Sequence, residues 1–239
     1  MAEYLKKAGH QVRGIIRNQA HQPALEALGY ETFMAQANNT DELTAAFSGV
    51  DGAYLMNPPA YFEEDMFVVA QQVYDVILDA MKASNLPHAV ALSSVGGHLP
   101  SGTGNIGTCY YFEQKIKQSK LNISVLRAPN FLDNWKGALA TAKEKGIFPS
   151  MFSPLDKKWP MASSLDIGQA GAQLLIEPHK APRLTELKGP EDYSTNDAVQ
   201  IVSELLDKPI KAVEVPAADI APFFASMGFP EVSAKAFRT

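Results

Sequence analysis

The chain has 239 residues, of which 46% are hydrophobic and 20% are charged, enough to bury a sizeable core in a soluble protein. A net charge of −5 argues against a nucleic-acid-binding surface, and the single cysteine, Cys109, excludes an intramolecular disulfide framework. No apolar run has the length of a transmembrane helix and no signal-peptide core follows Met1, so we expect a cytoplasmic protein with no membrane partner.

Predicted strands and helices alternate in the first third of the chain. The elements are a helix at 2–8, a strand at 12–16, a helix at 23–28, a strand at 31–35, a helix capped by Thr40 or Asp41 and ending at Phe47, a strand at 52–56 and a helix at about 63–84. Pro58 and Pro59 end the strand at 52–56, because proline cannot continue a β-ladder. Such alternation predicts a doubly wound, parallel α/β sheet.

The stretch from His88 to Trp135 predicts a βαβ unit. One apolar strand ends in Ser94 and a second begins at Ile123, with a glycine-rich loop and a helix between them. Parallel neighbours need a long crossover of this kind. Because open parallel sheets bind ligands at the carboxyl ends of their strands, we expect the functional site where these two strands end.

The alternation becomes looser after Trp135. The predicted elements are a helix at 136–145, a loop at 146–158 that contains Pro149 and Pro154, a helix at 163–176 opened by Ser163 and Asp166, a strand at 184–187, a helix opened by Ser194 and Asp197, a strand at 211–215 and a helix at 217–227. We therefore expect a nucleotide-binding domain at 1–146, with 184–189 as a candidate strand returning to its sheet. A smaller α/β substrate lobe is expected at 147–239.

Four segments follow one another along the chain in a characteristic order: VRGIIRN (12–18), GVDGAYLMNPP (49–59), LSSVGG (92–97) and VLRAPNFLDN (125–134). Together they resemble the NmrA-like branch of the atypical short-chain dehydrogenase/reductases. None is specific by itself, but their order and spacing are. The resemblance implies a Rossmann-type domain that binds NADP(H) or NAD(H). It also implies either a reductase of quinones and related compounds or a regulator that binds the dinucleotide without turnover.

The resemblance begins inside the first helix. A Rossmann domain of this family opens with a buried strand and a glycine-rich turn that holds the pyrophosphate, and neither precedes residues 2–8. We expect the first, central strand to be missing, with two inner strand edges left unpaired and with cofactor binding impaired. A natural start upstream of Met1 is the favoured explanation. The alternative is a protein that truly lacks this strand.

Arg17 is the candidate that selects the cofactor. An arginine at the end of this strand can pair with the 2′-phosphate of NADP, and Asn18 can assist. The alternative is a solvated arginine, but the resemblance favours NADP(H) over NAD(H). The other predicted cofactor-binding residues follow the strands that end near residues 56 and 94: Asn57, Pro58, Pro59, Ser93, Ser94 and Val95.

Tyr111 and Lys115 match the Tyr-x-x-x-Lys pair of the dehydrogenase superfamily, in which the lysine lowers the tyrosine pKa. In that superfamily the pair stands early on a long helix, whereas Lys115 comes only eight residues before Ile123. By register with the family, its lysine would fall near Cys109. We therefore interpret the match as coincidental and keep both residues as weak catalytic candidates.

The predicted substrate pocket has an aromatic wall with a few amides, which suits a flat, apolar electron acceptor. Its residues are Gly96, Asn130, Phe131, Asn134 and Trp135. The alternative is that Phe131 and Trp135 only pack the interface of the lobe.

The remaining candidates are weaker. His10 and His98 are isolated histidines and no Cys/His/Asp cluster has metal spacing, so no metal is expected. Two functions remain: an NADPH-dependent oxidoreductase of a quinone-like or other small conjugated or carbonyl compound, and a non-catalytic NADP(H)-sensing regulator. We expect a monomer or homodimer that binds a small-molecule substrate and no nucleic acid.

Overall fold

Strands and helices alternate up to residue 128 of the computed structural model, which describes residues 1–177 and 181–237. The strands are β1 (Arg13–Ile16), β2 (Glu31–Met34), β3 (Ala53–Leu55), β4 (Ala89–Ser94), β5 (Ile123–Ala128), β6 (Asn130–Phe131), β7 (Ile147–Ser150), β8 (Trp159–Ala162), β9 (Leu184–Glu186), β10 (Asp192–Tyr193) and β11 (Lys211–Glu214). The helices are α1 (Ala2–Lys7), α2 (Gln22–Ala27), α3 (Thr40–Phe47), α4 (Met66–Ala83), α5 (Gly107–Ser119), α6 (Lys136–Lys145), α7 (Ser164–Ile176), α8 (Thr195–Leu206), α9 (Ala217–Ser226) and α10 (Glu231–Lys235). The predicted α/β fold class is confirmed.

The main sheet is parallel and has the order β3–β4–β5–β9. All six residues of β5 are buried, as expected of a strand covered on both faces. The strand predicted at 184–187 does return to this sheet, where β9 pairs with β5 and Glu186 lies opposite Arg127. The crossover between β4 and β5 is α5, so the predicted βαβ unit is confirmed.

Strands β1 and β2 form a separate parallel pair. Within the described residues no ladder joins β1 to β3, so each strand keeps one unpaired edge. This agrees with the expectation of two unpaired inner edges.

The two faces of the main sheet carry different helices. One face packs Ala89, Ala91 and Ile123 against α4 and α5. The other face packs Val90 and Leu126 against α7. Successive residues of a strand point to opposite faces, so this division follows from the strand period and produces the doubly wound arrangement.

The C-terminal part contains short strands that the sequence did not predict. β6, β8 and β10 form a small sheet, and two of these strands have only two residues, too few for a periodic signal. The loop prediction for 146–158 is wrong at β7, which pairs with β11 and includes Pro149. Proline is tolerated there because β7 has a partner on one side only.

Two helix predictions also need correction. Asn39, and not Thr40 or Asp41, caps α3, since its side-chain oxygen accepts from the amides of Asp41 and Glu42. The helix predicted at 217–227 is followed by a short helix that the sequence did not predict, α10. None of the helices in the described ranges is both long enough and apolar enough to span a membrane. The division at residue 146 stays a prediction.

The stack of Tyr74 on Phe112 provides a test of the core. Their ring centroids lie 4.0 Å apart and both side chains are buried. Phe112→Ala should lower the free energy of unfolding by about 3–5 kcal/mol, because it removes buried surface and leaves a cavity. Leu205→Ala, at a side chain that is 79% exposed, should change it by less than about 0.5 kcal/mol. Urea unfolding measures both, and equal losses would contradict this description of the core.

Candidate functional site

The strands β3, β4 and β5 are parallel, so their carboxyl ends meet at one edge of the main sheet. Ser94 lies opposite Ala128, and the Val95 amide donates to the Ala128 carbonyl over 2.9 Å. The residues that follow each strand therefore emerge together. The predicted residues that the structure brings to this carboxyl edge are Asn57, Pro58, Pro59, Ser93, Ser94, Val95, Gly96 and Asn130.

A buried ionic network lies directly beneath the carboxyl edge. Glu113 on α5 accepts hydrogen bonds from Arg127 Nε over 2.9 Å and from Arg127 Nη2 over 2.6 Å. Ser93 Oγ donates to the same carboxylate over 2.6 Å, and Glu186 pairs with Arg127 Nη1 over 2.7 Å. The network thereby joins β4, α5, β5 and β9.

Hydrogen bonds keep this network ionised. Burial alone would raise the pKa of Glu113, but the bonds from Arg127 and Ser93 outweigh it and hold the pKa below its usual value. The bonds with Glu113 likewise outweigh burial and raise the pKa of Arg127. Both groups are therefore charged at neutral pH.

The glycine pair after β4 fits closely over this network. A Cβ atom at Gly97 would lie 2.7 Å from Ser93 Oγ and 2.8 Å from Glu113 Oε1, so a side chain would displace the network. Gly96 has a φ of +87°, which favours glycine. These two residues let the loop after Ser94 lie directly on the buried pair.

Cys109 lies at the first turn of α5, beside the Ser93 side chain and the Ser94 backbone. Burial raises the pKa of its thiol, so the sulfur is protonated at neutral pH and is a poor nucleophile. Within the described ranges no three His, Cys, Asp or Glu residues are grouped to hold a metal ion.

Tyr111 and Lys115 face another helix. Lys115 Nζ lies 2.9 Å from Asp75 Oδ1 on α4, and the Tyr111 hydroxyl lies 3.5 Å from Asp75 Oδ2. The hydrogen bond with Asp75 raises the pKa of Lys115, so the lysine stays charged. This placement favours a role in holding α4 against α5.

A second part of the site lies at the carboxyl end of β1. Arg17, Asn18, His21 and Gln36 line a cavity of 460 Å³ there. Asn18 caps the following turn, since its side-chain oxygen accepts from the Ala20 amide over 2.9 Å. Gln36 Nε2 donates to the backbone carbonyl of Arg17 over 3.3 Å. This hydrogen bond does not involve the Arg17 guanidinium. Sequence reasoning missed His21, although it follows Arg17 closely.

Two buried polar atoms at the carboxyl edge are available to a polar ligand. Asn57 Oδ1 and Thr103 Oγ1 have no hydrogen-bond partner among the described residues. Thr103 approaches Gly96, where a Cβ would lie 3.8 Å from its methyl carbon. A buried polar atom without a partner costs free energy, so these two fit a ligand that carries both a donor and an acceptor, as a carboxamide does. Thr103 was not among the predicted site residues.

The aromatic members of the predicted substrate pocket are engaged in packing. Phe131 packs against the core on the α7 side of the sheet. Trp135 packs beside Phe148 and meets the Phe152 ring edge-on, with centroids 5.9 Å apart. Asn134 is exposed. The ring contacts favour the alternative that Phe131 and Trp135 pack the lobe, while Trp135 Nε1 is a buried donor without a partner among the described residues.

The comparisons with known proteins found one matching family model and two curated relatives. The family model described as "NmrA-like family" matches residues 1–237. The chain is 23% identical over 236 residues to the NAD(P)H azoreductase of Xenophilus azovorans, with 97% of this chain and 78% of that protein covered. It is 24% identical over 221 residues to quinone oxidoreductase 2 of Escherichia coli strain K12, with 92% and 74% covered.

Solved structures show the same fold. The NADPH complex of an NADPH-dependent quinone oxidoreductase from Escherichia coli has a TM-score of 0.82 at 22% identity, over 99% of this chain and 81% of that one. The NADP(H) complex of a Citrobacter triphenylmethane reductase has a TM-score of 0.83 at 18% identity, over 99% and 82%. The Rossmann-like architecture is thus shared.

The ionic network beneath the carboxyl edge yields a stability prediction. Glu113→Gln should lower the free energy of unfolding by about 3–5 kcal/mol at neutral pH, because it leaves a buried arginine incompletely paired. Glu186→Gln removes a half-exposed partner of the same arginine and should cost less than about 1 kcal/mol. Urea unfolding of both variants measures the difference, and equal losses would contradict it.

The difference in unfolding free energy between wild type and Glu113→Gln should depend on pH. The pKa of Glu113 is lowered in the folded protein, so its stabilisation is complete above the unfolded-state pKa of about 4.3. It is lost as the pH falls through the folded-state pKa. The difference between wild type and Glu113→Gln should therefore be largest at neutral pH and should shrink in acid.

Proposed function

The chain belongs to the NmrA-like family, and from this membership we propose that it is an NADPH-dependent oxidoreductase of quinone-like or other small conjugated or carbonyl compounds. The observation that carries the proposal is the carboxyl edge of the main sheet, where the buried polar atoms of Asn57 and Thr103 have no partner among the described residues. The names of two relatives, an azoreductase and a quinone oxidoreductase, support the substrate class. Azo compounds and quinones are both conjugated acceptors of two electrons.

The described residues offer groups for two ends of a dinucleotide. Arg17 and His21, in the cavity after β1, would hold a 2′-phosphate, since a guanidinium binds phosphate through two parallel hydrogen bonds. Ser93, Ser94, Val95 and the backbone of Gly96 would border the nicotinamide. When bound, the dinucleotide supplies the hydride, and the protein orients the reactants and excludes water.

One observation favours the second candidate, a non-catalytic sensor of NADP(H). Tyr111 and Lys115, the pair that resembles an acid–base constellation, are bound to Asp75. Direct hydride transfer to a conjugated acceptor needs orientation more than a strong acid, so we retain the oxidoreductase as the first candidate. A cytoplasmic location and a monomeric or homodimeric state belong to the same proposal.

Substrate turnover distinguishes the oxidoreductase from the non-catalytic sensor. In a solution of the purified protein and NADPH, the absorbance of NADPH should fall when a quinone is added. With NADH in place of NADPH, the absorbance should fall more slowly. Titration of NADPH into the protein without an acceptor measures cofactor binding separately. If NADPH binds while quinones, azo compounds, aldehydes and enones all leave it unoxidised, the sensor is correct and the oxidoreductase is not.

Substitution of Arg17 tests whether this residue makes the protein prefer NADPH to NADH. Arg17→Ala should raise the Kd for NADPH by about tenfold or more, since a hydrogen bond to a charged group contributes about 1.5–3 kcal/mol. The Kd for NADH should change by less than about twofold, because NADH has no 2′-phosphate. Arg183→Ala, just before β9 and at the opposite end of the sheet, is the matched control and should alter neither constant. An equal loss of NADPH and NADH affinity in Arg17→Ala would exclude the phosphate contact.

A further inference from the structure

A cluster of aromatic rings connects the loop after β3 to the C-terminal segment. Tyr61 stacks on Phe229 with centroids 5.6 Å apart and meets Phe237 edge-on at 5.2 Å. Phe62 meets Phe229 edge-on at 4.9 Å, and Phe224 stacks on Phe237 at 4.3 Å. We call these five residues the aromatic cluster.

The aromatic cluster adjoins the carboxyl edge of the main sheet. Tyr61 comes six residues after the end of β3. The Asn105 amide donates to the Ala236 carbonyl over 3.0 Å, which ties the C-terminal segment to the loop that enters α5. The Cys109 thiol, which lies beside Ser93 and Ser94, is also an electrostatic neighbour of Tyr61. The cluster therefore stands next to the place proposed for the nicotinamide.

The Tyr61 hydroxyl is a donor without an acceptor in the described part of the chain. Burial raises its pKa, and the neighbouring Cys109 raises it further, so the phenol keeps its proton at neutral pH. The Tyr61 hydroxyl oxygen is not among the fully buried side-chain atoms that lack a partner, so part of its surface is accessible. Tyr111 differs, because its hydroxyl faces Asp75.

The aromatic cluster also has an exposed apolar side. Phe62 is 69% exposed, and Phe223, which meets Phe224 edge-on, is 48% exposed. Large aromatic surfaces that stay in contact with solvent beside a polar donor are typical of ligand sites. A flat ring can stack there while its oxygen or nitrogen atom reaches the donor.

We propose that the aromatic cluster binds the electron acceptor, a planar conjugated ring, and that the Tyr61 hydroxyl donates a hydrogen bond to the acceptor's carbonyl or azo atom. The inference rests on the proposed function, since it places the acceptor beside the proposed nicotinamide site. It replaces the pocket of Phe131 and Trp135, whose rings are engaged in packing. Tyr61 then orients the acceptor and stays protonated.

Equilibrium binding of tetramethylbenzoquinone tests this inference. Its ring is fully substituted and does not arylate Cys109, and NADP⁺ in the solution occupies the cofactor site without reducing it. Tyr61→Phe keeps the ring stack and removes only the hydroxyl. It should weaken quinone binding about three- to tenfold, the usual range for one hydrogen bond. Tyr111→Phe is the matched control and should leave the Kd unchanged.

A ligand without an oxygen atom distinguishes the contribution of the hydrogen bond to binding from that of ring packing. Tetramethylbenzene has the same shape and no acceptor atom, so wild type and Tyr61→Phe should bind it equally. Equal affinities of both proteins for the quinone, or no quinone binding by wild type, would overturn the inference. The wild-type protein could fail to bind NADP⁺ and still bind the quinone in a way that depends on Tyr61. That result would contradict the proposed function but not this inference.

Discussion

The positive charge of Arg127 sits in a fully buried strand, and the structure of the site follows from the need to neutralise it. An unpaired buried charge costs several kcal/mol, so β5 can hold an arginine only if a carboxylate reaches it. Glu113 on α5 does so with two hydrogen bonds. That requirement fixes the rotation of α5 about its axis and its position along the sheet. Ser93 and Gly97 then complete the network from the β4 side.

A fixed α5 has consequences for the chemistry of the carboxyl edge. The charges of Glu113 and Arg127 compensate each other below the edge, while Cys109 and its neighbour Tyr61 keep their protons because burial raises both pKa values. The surface that would border a nicotinamide and its acceptor therefore presents neutral donors. Neutral donors suit hydride transfer to an uncharged conjugated compound, for which orientation and exclusion of water are the main contributions of a protein.

Local patterns predicted the elements with a strong period, and they failed where contacts between distant residues decide the outcome. The apolar runs of β4 and β5 and the cap at Ser194 are readable because neighbouring residues produce them. The pairing of Arg127 with Glu113 was missed, although an arginine inside an otherwise apolar strand is a signal that an acid must lie near. Tyr61 and Phe229 are far apart in sequence, so no spacing rule could bring them together. Short strands such as β6 exist only because β8 supplies their partner.

The separation of β1 from β3 makes the bridging elements important for any ligand that spans the site. The cavity beside Arg17 belongs to the β1–β2 pair, whereas Asn57 and Ser94 belong to the main sheet. Helix α1 connects the two: Tyr4 donates to Gln169 on α7 over 2.9 Å, and Lys6 donates to the Leu28 carbonyl next to β2. A dinucleotide held at both ends would add a second connection of this kind. Since a ligand stabilises the state that binds it, cofactor binding and the relative position of the two sheets are thermodynamically coupled.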